Sequence, residues 1–302
     1  MKKILVTGGT GFIGRYVVED LLRRGYEPLV LDRKSHIPSQ DYQTILGDIR
    51  DSVSVTEAMA QTDGWIHLAA VLGTQETINN PRPAAMSNLE GGLNILEAAC
   101  QYNLPGSYIS VGNHWMNNTY SITKNMLERF IAMYNTDRGT KINTVRAVNA
   151  YGPRQLPVAP WGSSKVRKIT PNFICRALSN QDLEVYGGGH QISDMVWVDD
   201  VAKALVTALE KANQGQVFDK AVEVGPDVNN SVREVAELII ELTESQSKIV
   251  DLPMRPGEIP GDRVSADINT LALIDMDTTD LMDIRSGMLK TIEHFRKNYF
   301  NE

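Results

Sequence analysis

The sequence Lys3-Ile4-Leu5-Val6-Thr7-Gly8-Gly9-Thr10-Gly11-Phe12-Ile13-Gly14 decides the fold, because it joins a short apolar strand to a helix through a glycine-rich turn. Glycines allow a tight turn and let the backbone approach a pyrophosphate. The N-terminus of the following helix adds N–H donors and a partial positive charge. The turn therefore predicts a dinucleotide site with cofactor contacts at Gly8, Gly11, Phe12, Ile13 and Gly14.

Around this turn, the first 150 residues alternate apolar runs with helical patterns. Strands are predicted near 3–7, 28–31, 65–69, 108–111 and 142–147, and helices near 13–24, 53–61, 82–102 and 119–138. Such alternation predicts right-handed βαβ units and a doubly wound parallel sheet, which is a Rossmann-type α/β fold.

Beyond Asn149 the chain becomes rich in proline, glycine and basic residues, which predicts a long loop. Further helices are expected near 199–211, capped by Asp199 or Asp200, near 231–243 with a Ser231/Glu234 capping box, and near 285–298. We therefore expect a Rossmann domain over 1–155, joined by a returning segment near 193–213. A smaller C-terminal α/β substrate-binding domain would cover 156–302.

The composition indicates a soluble globular protein, with 42% hydrophobic residues and a net charge of −7. The acidic surface disfavours binding to nucleic acid or to anionic membranes, and no apolar run is long enough to span a bilayer. The two cysteines, Cys100 and Cys175, fit no metal-ligand spacing. They predict reduced thiols in a cytoplasmic protein without a bound metal.

The second predicted strand ends at Asp32, and this residue bears on the choice of cofactor. A carboxylate there accepts hydrogen bonds from the adenosine ribose and repels a 2′-phosphate, which favours NAD. The basic neighbours Arg33 and Lys34 leave NADP as the alternative. Asp48 and Ile49 follow another apolar run, where they either clasp the adenine edge or form a simple turn.

Tyr120 and Lys124 lie four residues apart on a predicted helix, so they share one face. A lysine ammonium beside the phenol would lower the tyrosine pKa toward neutrality. Such a pair exchanges a proton with a sugar hydroxyl while hydride moves to or from a nicotinamide. The same spacing is common on amphipathic helices, but its position downstream of a dinucleotide turn favours the catalytic interpretation.

With these motifs in place, the chain resembles the extended short-chain dehydrogenase/reductase family, in its nucleotide-sugar epimerase and dehydratase branch. The resemblance runs nearly end to end. It is carried by the glycine turn, His67-Leu68-Ala69-Ala70, Asn88 in Asn88-Leu89-Glu90-Gly91-Gly92, Tyr120-Ser121-Ile122-Thr123-Lys124, Asn149-Ala150-Tyr151-Gly152-Pro153-Arg154, Val185-Tyr186-Gly187, Asp194-Met195-Val196-Trp197-Val198-Asp199-Asp200, and Arg255-Pro256-Gly257-Glu258.

The resemblance implies roles for further residues. Leu68, Ala69 and Ala70 would border the nicotinamide ribose, and Asn88 would be buried near the cofactor. Asn149, Tyr186, Arg255 and Glu258 would contact the nucleotide sugar. The helices near 82–102 and 119–138 resemble the pair through which family members form homodimers, although their apolar faces could equally pack on the sheet.

Three features depart from the family pattern. The loop before Tyr120 is short, so Ser110 is the nearest hydroxyl for the reacting oxygen, with Asn113 and Thr119 as substitutes. Val111-Gly112 stands where dehydratases carry an acid–base pair. Ser193 replaces an arginine of the nucleotide strand, and the run Lys165-Val166-Arg167-Lys168 either compensates through Lys165 and Arg167 or is a solvated loop.

The sequence therefore predicts an NAD-dependent nucleotide-sugar epimerase, acting at C4 through a transient 4-keto intermediate. A keto-sugar reductase or dehydrogenase, or a dehydratase, is the alternative, and a non-catalytic cofactor sensor is the third. His114 is a weaker acid–base candidate on the short loop, and Trp197 is expected in the core.

Overall fold

Strands and helices alternate along the chain in a computed structural model that describes residues 1–34 and 41–300. The strands are β1 (Lys3–Thr7), β2 (Glu27–Asp32), β3 (Gln43–Leu46), β4 (Gly64–His67), β5 (Gly106–Val111), β6 (Ile142–Ala147), β7 (Asn149–Tyr151), β8 (Leu183–Tyr186), β9 (Ile192–Ser193), β10 (Met195–Trp197), β11 (Val222–Val224), β12 (Ile249–Leu252) and β13 (Arg263–Val264). The helices are α1 (Phe12–Arg23), α2 (Ser52–Met59), α3 (Arg82–Ala85), α4 (Gly91–Tyr102), α5 (Thr119–Arg138), α6 (Ile169–Leu178), α7 (Val198–Asn213), α8 (Val232–Thr243) and α9 (Ile284–Phe295).

The central sheet has the strand order β3-β2-β1-β4-β5-β6-β11, and every neighbouring pair is parallel. Leu5 of β1 lies opposite Leu29 of β2 and Trp65 of β4. This order confirms the predicted Rossmann-type sheet. The order reverses between β1 and β4, so a crevice opens at the carboxyl ends of these two strands.

Helices cover both faces of the sheet, which explains the continuous apolar runs Ile4-Leu5-Val6 of β1 and Leu29-Val30-Leu31 of β2. Val17 of α1 and Leu205 of α7 are fully buried in the core on one face. Val55 of α2, Ile95 of α4 and Leu127 of α5 form the core on the other. The two layers hold the carboxyl ends of the strands in fixed positions, and the site is built on those ends.

A second, smaller core lies in the C-terminal half, where β8 pairs with β12 and helices α6, α8 and α9 pack around them. Phe173, Val185, Ile239 and Phe295 are among its buried residues. The division at residue 155 stays a prediction. Strand β11 joins the main sheet as well, and a 3₁₀ segment at Ile268–Ile274 packs into the core on one of its faces. Both add chain beyond the expected returning segment 193–213.

The structure tests the predicted helix ends, and one of the two predicted caps is right. The Ser231/Glu234 capping box of α8 is confirmed. The predicted cap of α7 is wrong, because the helix begins directly after Trp197 and both aspartates lie in its first turn. There the negative charges of the two aspartates interact favourably with the positive end of the helix dipole. The predicted helix 82–102 contains a π-helical turn at Met86–Glu90, which joins α3 to α4.

Residues 1–34 and 41–300 contain no membrane-spanning helix and no metal-binding cluster. No helix in these ranges is both long and apolar enough to cross a membrane. Cys100 and Cys175 are both free thiols. No cluster of three or more His, Cys, Asp or Glu side chains in the same ranges could hold a metal ion.

Candidate active site

A cavity of about 810 Å³ lies between the carboxyl edge of the central sheet and the C-terminal half. Most of the predicted site residues line it. These are Gly8, Gly11, Phe12, Ile13, Gly14, Asp32, Arg33, Ile49, Leu68, Ala69, Ala70, Ser110, Tyr120, Lys124, Asn149, Arg167, Tyr186, Arg255 and Glu258. Asp48, Asn88 and Lys165 are not among the lining residues.

The glycine turn forms a tight backbone cradle that has no room for a side chain at Gly8 or Gly14. A Cβ on Gly14 would lie 2.2 Å from the carbonyl oxygen of Gly8, and a Cβ on Gly8 would lie 2.8 Å from the backbone nitrogen of Ala69. Gly8 also has a φ of +73°, which side chains rarely adopt. Gly11 is the N-cap of α1, so the cradle ends at the positive end of a helix, as a pyrophosphate requires.

Asp32 stands at the end of β2, beside this cradle. Its Oδ2 accepts hydrogen bonds from Thr10 Oγ1 at 2.7 Å and from the Thr10 N–H at 3.2 Å, and its Oδ1 accepts from the Lys34 N–H at 3.2 Å. A carboxylate can accept about four hydrogen bonds. The orientation of Asp32 is thus set by the turn, and Oδ1 keeps capacity for ribose hydroxyls.

Two residues predicted to contact the cofactor have other partners. Asp48 pairs with Arg50 at 2.7 Å, which holds the pKa of the Asp48 carboxyl below its usual range. Asn88 is buried, and its side chain bonds the N–H of Val71 at 2.7 Å, the carbonyl of Val71 at 3.0 Å and Thr123 Oγ1 at 3.1 Å. Asn88 therefore fixes the cavity wall after β4 against helix α5.

Tyr120 and Lys124 lie in the first turns of α5, which begins after Asn118. The Asn118 side chain caps the helix by accepting from the Ser121 N–H at 2.9 Å. Burial raises the pKa of Tyr120, so the structure gives a raised phenol pKa where the sequence predicted a lowered one. Burial also lowers the pKa of Lys124 to about 7, against the opposing charge of Glu128.

Of the candidate donors for the reacting oxygen, two line the cavity. Ser110 is buried on β5, and none of the described residues forms a hydrogen bond with its Oγ by distance and angle. Asn113 also lines the cavity, and its Nδ2 lies 3.1 Å from the Met116 sulfur, a weak acceptor. Thr119 is instead engaged with the carbonyl of Thr77 at 3.1 Å. The choice is thereby reduced to Ser110 and Asn113.

The short loop also carries two rings that are outside the lining of the cavity. His114 packs edge-on against Trp115, and its buried Nδ1 has no partner among residues 1–34 and 41–300. Trp115 donates from Nε1 to Asp262 at 3.3 Å. His114 therefore does not line the cavity that contains Tyr120 and Lys124. Trp197 is buried in the C-terminal core, as predicted.

In the C-terminal half, two guanidinium groups lie close to the aromatic ring of Tyr186. Those of Arg167 and Arg255 are 5.7 Å and 5.0 Å from its ring centroid. Arg167 is also paired with Glu184 at 2.6 Å, and Arg255 is paired with Glu258. Both arginines therefore reach the cavity already bound to carboxylates.

Lys168 was part of the basic run, but the sequence reasoning did not single it out. Both Lys165 and Lys168 are exposed, but only Lys168, immediately before α6, is among the residues that line the cavity. No carboxylate of the described residues lies within 4.0 Å of the Lys168 ammonium. Its position at the start of α6 was hidden because Lys165, Arg167 and Lys168 look alike in the sequence.

Ser193, the residue that stands in place of an arginine, is buried and accepts a hydrogen bond from Asn149 Nδ2 at 2.8 Å. Glu76 was missed altogether. It lines the cavity, and Oε1 accepts from the Arg167 N–H at 3.4 Å. Its place in the segment that follows β4 is a signal that could have found it, because that segment leaves the carboxyl edge of the sheet.

A glycine cradle, a carboxylate after the second strand and a Tyr–Lys pair in one cavity define a dinucleotide-dependent enzyme. A family model confirms this class: the NAD-dependent epimerase/dehydratase family matches residues 4–225. The chain belongs to that family, and its cofactor is NAD. The tight turn of Gly8 and Gly14 has no room for side chains at either position and leads into the N-terminus of α1, which is the backbone arrangement that fits such a dinucleotide.

Individual relatives support the same family. The chain is 30% identical over 279 residues to a UDP-N-acetyl-alpha-D-glucosaminuronate decarboxylase of Bacillus cytotoxicus, covering 83% of this chain and 84% of the relative. A UDP-glucose 4-epimerase structure from Thermotoga maritima, with UDP-glucose, superposes with a TM-score of 0.87 at 25% identity, covering 98% and 99% of the two chains. The Thermus thermophilus UDP-glucose 4-epimerase in complex with NAD gives 0.82 at 28% identity, covering 98% and 99%.

Proposed function

We propose that this protein is a nucleotide-sugar epimerase that inverts C4 of the sugar through a transient 4-keto intermediate. The observation that carries the proposal is the position of Tyr120 and Lys124 in a cavity to which the segment 110–120 brings no carboxylate. Oxidation and reduction at one carbon need a proton acceptor and donor at one hydroxyl. Elimination of water would need a second acid–base pair.

The residues divide the chemistry as follows. Tyr120 takes the proton from the C4 hydroxyl and later returns it. Burial raises the pKa of the Tyr120 phenol, and the positive charge of protonated Lys124 would act against this effect. Ser110 and Asn113 orient the reacting oxygen. NAD, when bound, supplies the hydride acceptor and donor. The sugar turns over in the cavity between the two half-reactions, so no net oxidation results.

The nucleotide end of the substrate would lie in the C-terminal half. Lys168 is the cation on that side of the described cavity without a carboxylate within 4.0 Å, so it suits a diphosphate. It takes the role that the sequence gave to Lys165 and Arg167, because Lys165 is outside the cavity and Arg167 is held by Glu184. Arg255, Glu258, Tyr186 and Asn149 would hold the nucleotide and sugar beside it.

A panel of UDP-, dTDP- and GDP-linked hexoses, with and without N-acetyl groups, tests the reaction when each is incubated with the purified protein. We expect C4 epimers without net consumption of cofactor, and NAD released when the protein is denatured. Recovery of only a 4-keto-6-deoxy product would contradict the proposal, as would stoichiometric use of added NADH. A nucleotide-linked uronate belongs in the panel, because a decarboxylase is among the relatives. Release of CO₂ from it without any epimer would also contradict the proposal.

The proposed assembly is a homodimer formed through helices α4 and α5. Ile122, Met126 and Met133 are exposed along α5 at intervals that place them on one helix face. Sedimentation of the purified protein tests this. We expect the mass of two chains, and a Met126→Glu variant should sediment as a monomer. Wild-type protein that sediments as a monomer at all concentrations would overturn the proposal.

A further inference from the structure

Tyr108 on β5 is fully buried and contacts Lys124 at two points. The ammonium nitrogen of Lys124 lies 4.2 Å from the centroid of the Tyr108 ring. The Tyr108 hydroxyl donates a hydrogen bond to the backbone carbonyl of Lys124 at 3.2 Å. One side chain therefore holds both the backbone and the charged end of the lysine.

His67 of β4 also packs against the Tyr108 ring. The two rings are stacked at 5.7 Å with an interplanar angle of 20°. His67 Nδ1 lies 2.6 Å from Thr7 Oγ1, which also accepts two backbone N–H groups. The Thr7 hydroxyl proton therefore points to Nδ1, and the imidazole is neutral with its proton on Nε2. Because the imidazole of His67 carries no charge, it packs against Tyr108 without repelling the Lys124 ammonium.

No carboxylate provides the usual partner for Lys124. Glu128, one helical turn further on, is bound by Arg146 at 2.6 Å, and Arg146 also binds Glu223 at 3.0 Å. Within the described chain, no ion pair is formed by Lys124. The ring of Tyr108 is thus the partner that the structure gives to this ammonium.

We propose that Tyr108 is a positioning residue that keeps Lys124 charged and directed into the cavity through the face of its ring. The negative face of an aromatic ring attracts a cation, and the attraction is stronger where water is excluded. Tyr108 acts through Lys124 and touches neither substrate nor cofactor in this role. The inference rests on the proposed function only in using Lys124 as part of the catalytic pair.

Among the described residues, the titratable groups around Lys124 are His67 on β4, Tyr108 on β5, Tyr120 and Glu128 on α5, and Arg146 on β6. The segment 82–102, which packs on the other side of α5, presents the neutral amide of Asn88 to Thr123. A change at residue 108 that leaves these groups in place therefore reports on the ring itself.

A graded change of the ring at residue 108 tests the proposal. Tyr108→Phe removes the hydroxyl, and analogues of that phenylalanine with one, two and three ring fluorines weaken the negative ring face at nearly constant shape. The pKa of Lys124 is read from the NMR titration of its Cε resonance in protein as purified with labelled lysine. Lys124→Met assigns the resonance.

We expect Tyr108→Phe to leave the pKa of Lys124 near the wild-type value. The fluorine series should then lower the pKa of Lys124 stepwise, by about one pH unit in total. The pKa of Lys168, which meets no aromatic ring in the described chain, should stay constant. A Lys124 pKa that is the same across the series would overturn the proposal. The titration needs no substrate, so its result is independent of which sugar nucleotide the protein turns over.

Discussion

The cofactor half and the substrate half of the cavity are built by different means. In the cofactor half, the contact surface is mainly backbone: glycines approach each other so closely that a Cβ on Gly14 would lie 2.2 Å from the Gly8 carbonyl. In the substrate half, it is made of long charged side chains such as Arg167 and Arg255, each held by a carboxylate. One half is fixed by local backbone geometry, and the other by ion pairs between side chains.

The difference has consequences for function as well as for assembly. A backbone cradle recognises the shape common to all dinucleotides, and it tolerates no side chain. Charged side chains can be exchanged one at a time, and each exchange changes which substrate fits. We therefore expect changes in the cofactor half to abolish activity altogether, and changes in the substrate half to alter affinity and selectivity.

The largest effect is expected at Tyr120, where the two halves meet. Tyr120→Phe removes the proton acceptor, so kcat for epimerisation should fall by about 10²- to 10⁴-fold. The bound NAD should be retained, because the cradle is unchanged. Activity and released NAD are measured on the same preparation.

Tyr102→Phe is the matched control, because Tyr102 is exposed at the end of α4, away from the cavity. It should keep full activity. If Tyr120→Phe retained more than about a tenth of the wild-type kcat, the catalytic role of Tyr120 would be wrong and a non-catalytic sensor would return as a hypothesis.

Gly14→Ala should break the cofactor half alone. Its Cβ would meet backbone atoms that cannot move aside, and such overpacking costs about 3 kcal/mol. That corresponds to roughly a 100-fold loss of NAD affinity. Calorimetric titration with NAD, or the NAD content after purification, measures the change.

Gly25→Ala controls for glycine replacement as such. Gly25 has a φ of +80° and an open surrounding, so alanine should lower stability by roughly 1 kcal/mol through backbone strain. Its NAD content should stay at the wild-type level. Equal loss of NAD in both variants would mean that the effect of Gly14→Ala comes from general destabilisation.

This half is also the one that the sequence predicts well. The spacing of Gly8, Gly11 and Gly14 and the apolar strand before them determine a local geometry, so the turn, the helix after it and the place of Asp32 at the end of β2 follow from neighbouring residues. The partners of Asn88 do not follow in this way, because Val71 and Thr123 reach it only when the chain packs. The partner of Asp48 is a near neighbour, Arg50, and the sequence interpretation did not consider this pair.

In the substrate half, Lys168→Gln should raise KM about tenfold with little change in kcat, because one charge-assisted contact to a diphosphate contributes on the order of 1.5 kcal/mol. Lys165→Gln is the matched control, three residues earlier and outside the cavity. It should leave KM unchanged. Equal effects of both substitutions would indicate a diffuse attraction of the basic run for anions.

The failure to distinguish Lys165 from Lys168 in the sequence has a physical cause. A loop of 16 or more residues precedes α6, and no periodic pattern fixes which side chains of Lys165, Arg167 and Lys168 turn inward. The pairing of Arg167 with Glu184 decides this, and the two lie on separate elements. Glu76 was missed for the same reason, since its contact with the Arg167 backbone joins segments far apart in the chain.

The smallest predicted effect is a change of stability with pH that comes from the buried Lys124. Lys124 is buried with a pKa of about 7 in the folded protein, against 10.5 for an ordinary lysine. Between these values the unfolded chain binds more protons than the folded one. The contribution of Lys124 to the free energy of unfolding therefore rises with pH, by at most about 1.4 kcal/mol per pH unit. The Tm of the wild type relative to Lys124→Met should accordingly rise between pH 7 and pH 10, by roughly 2 °C per pH unit. Lys165→Met, at an exposed position, should follow the wild type in parallel. If the Tm of Lys124→Met changed with pH in parallel with that of the wild type, Lys124 would titrate like an ordinary lysine. Both halves of the cavity would then keep their charges fixed over this range.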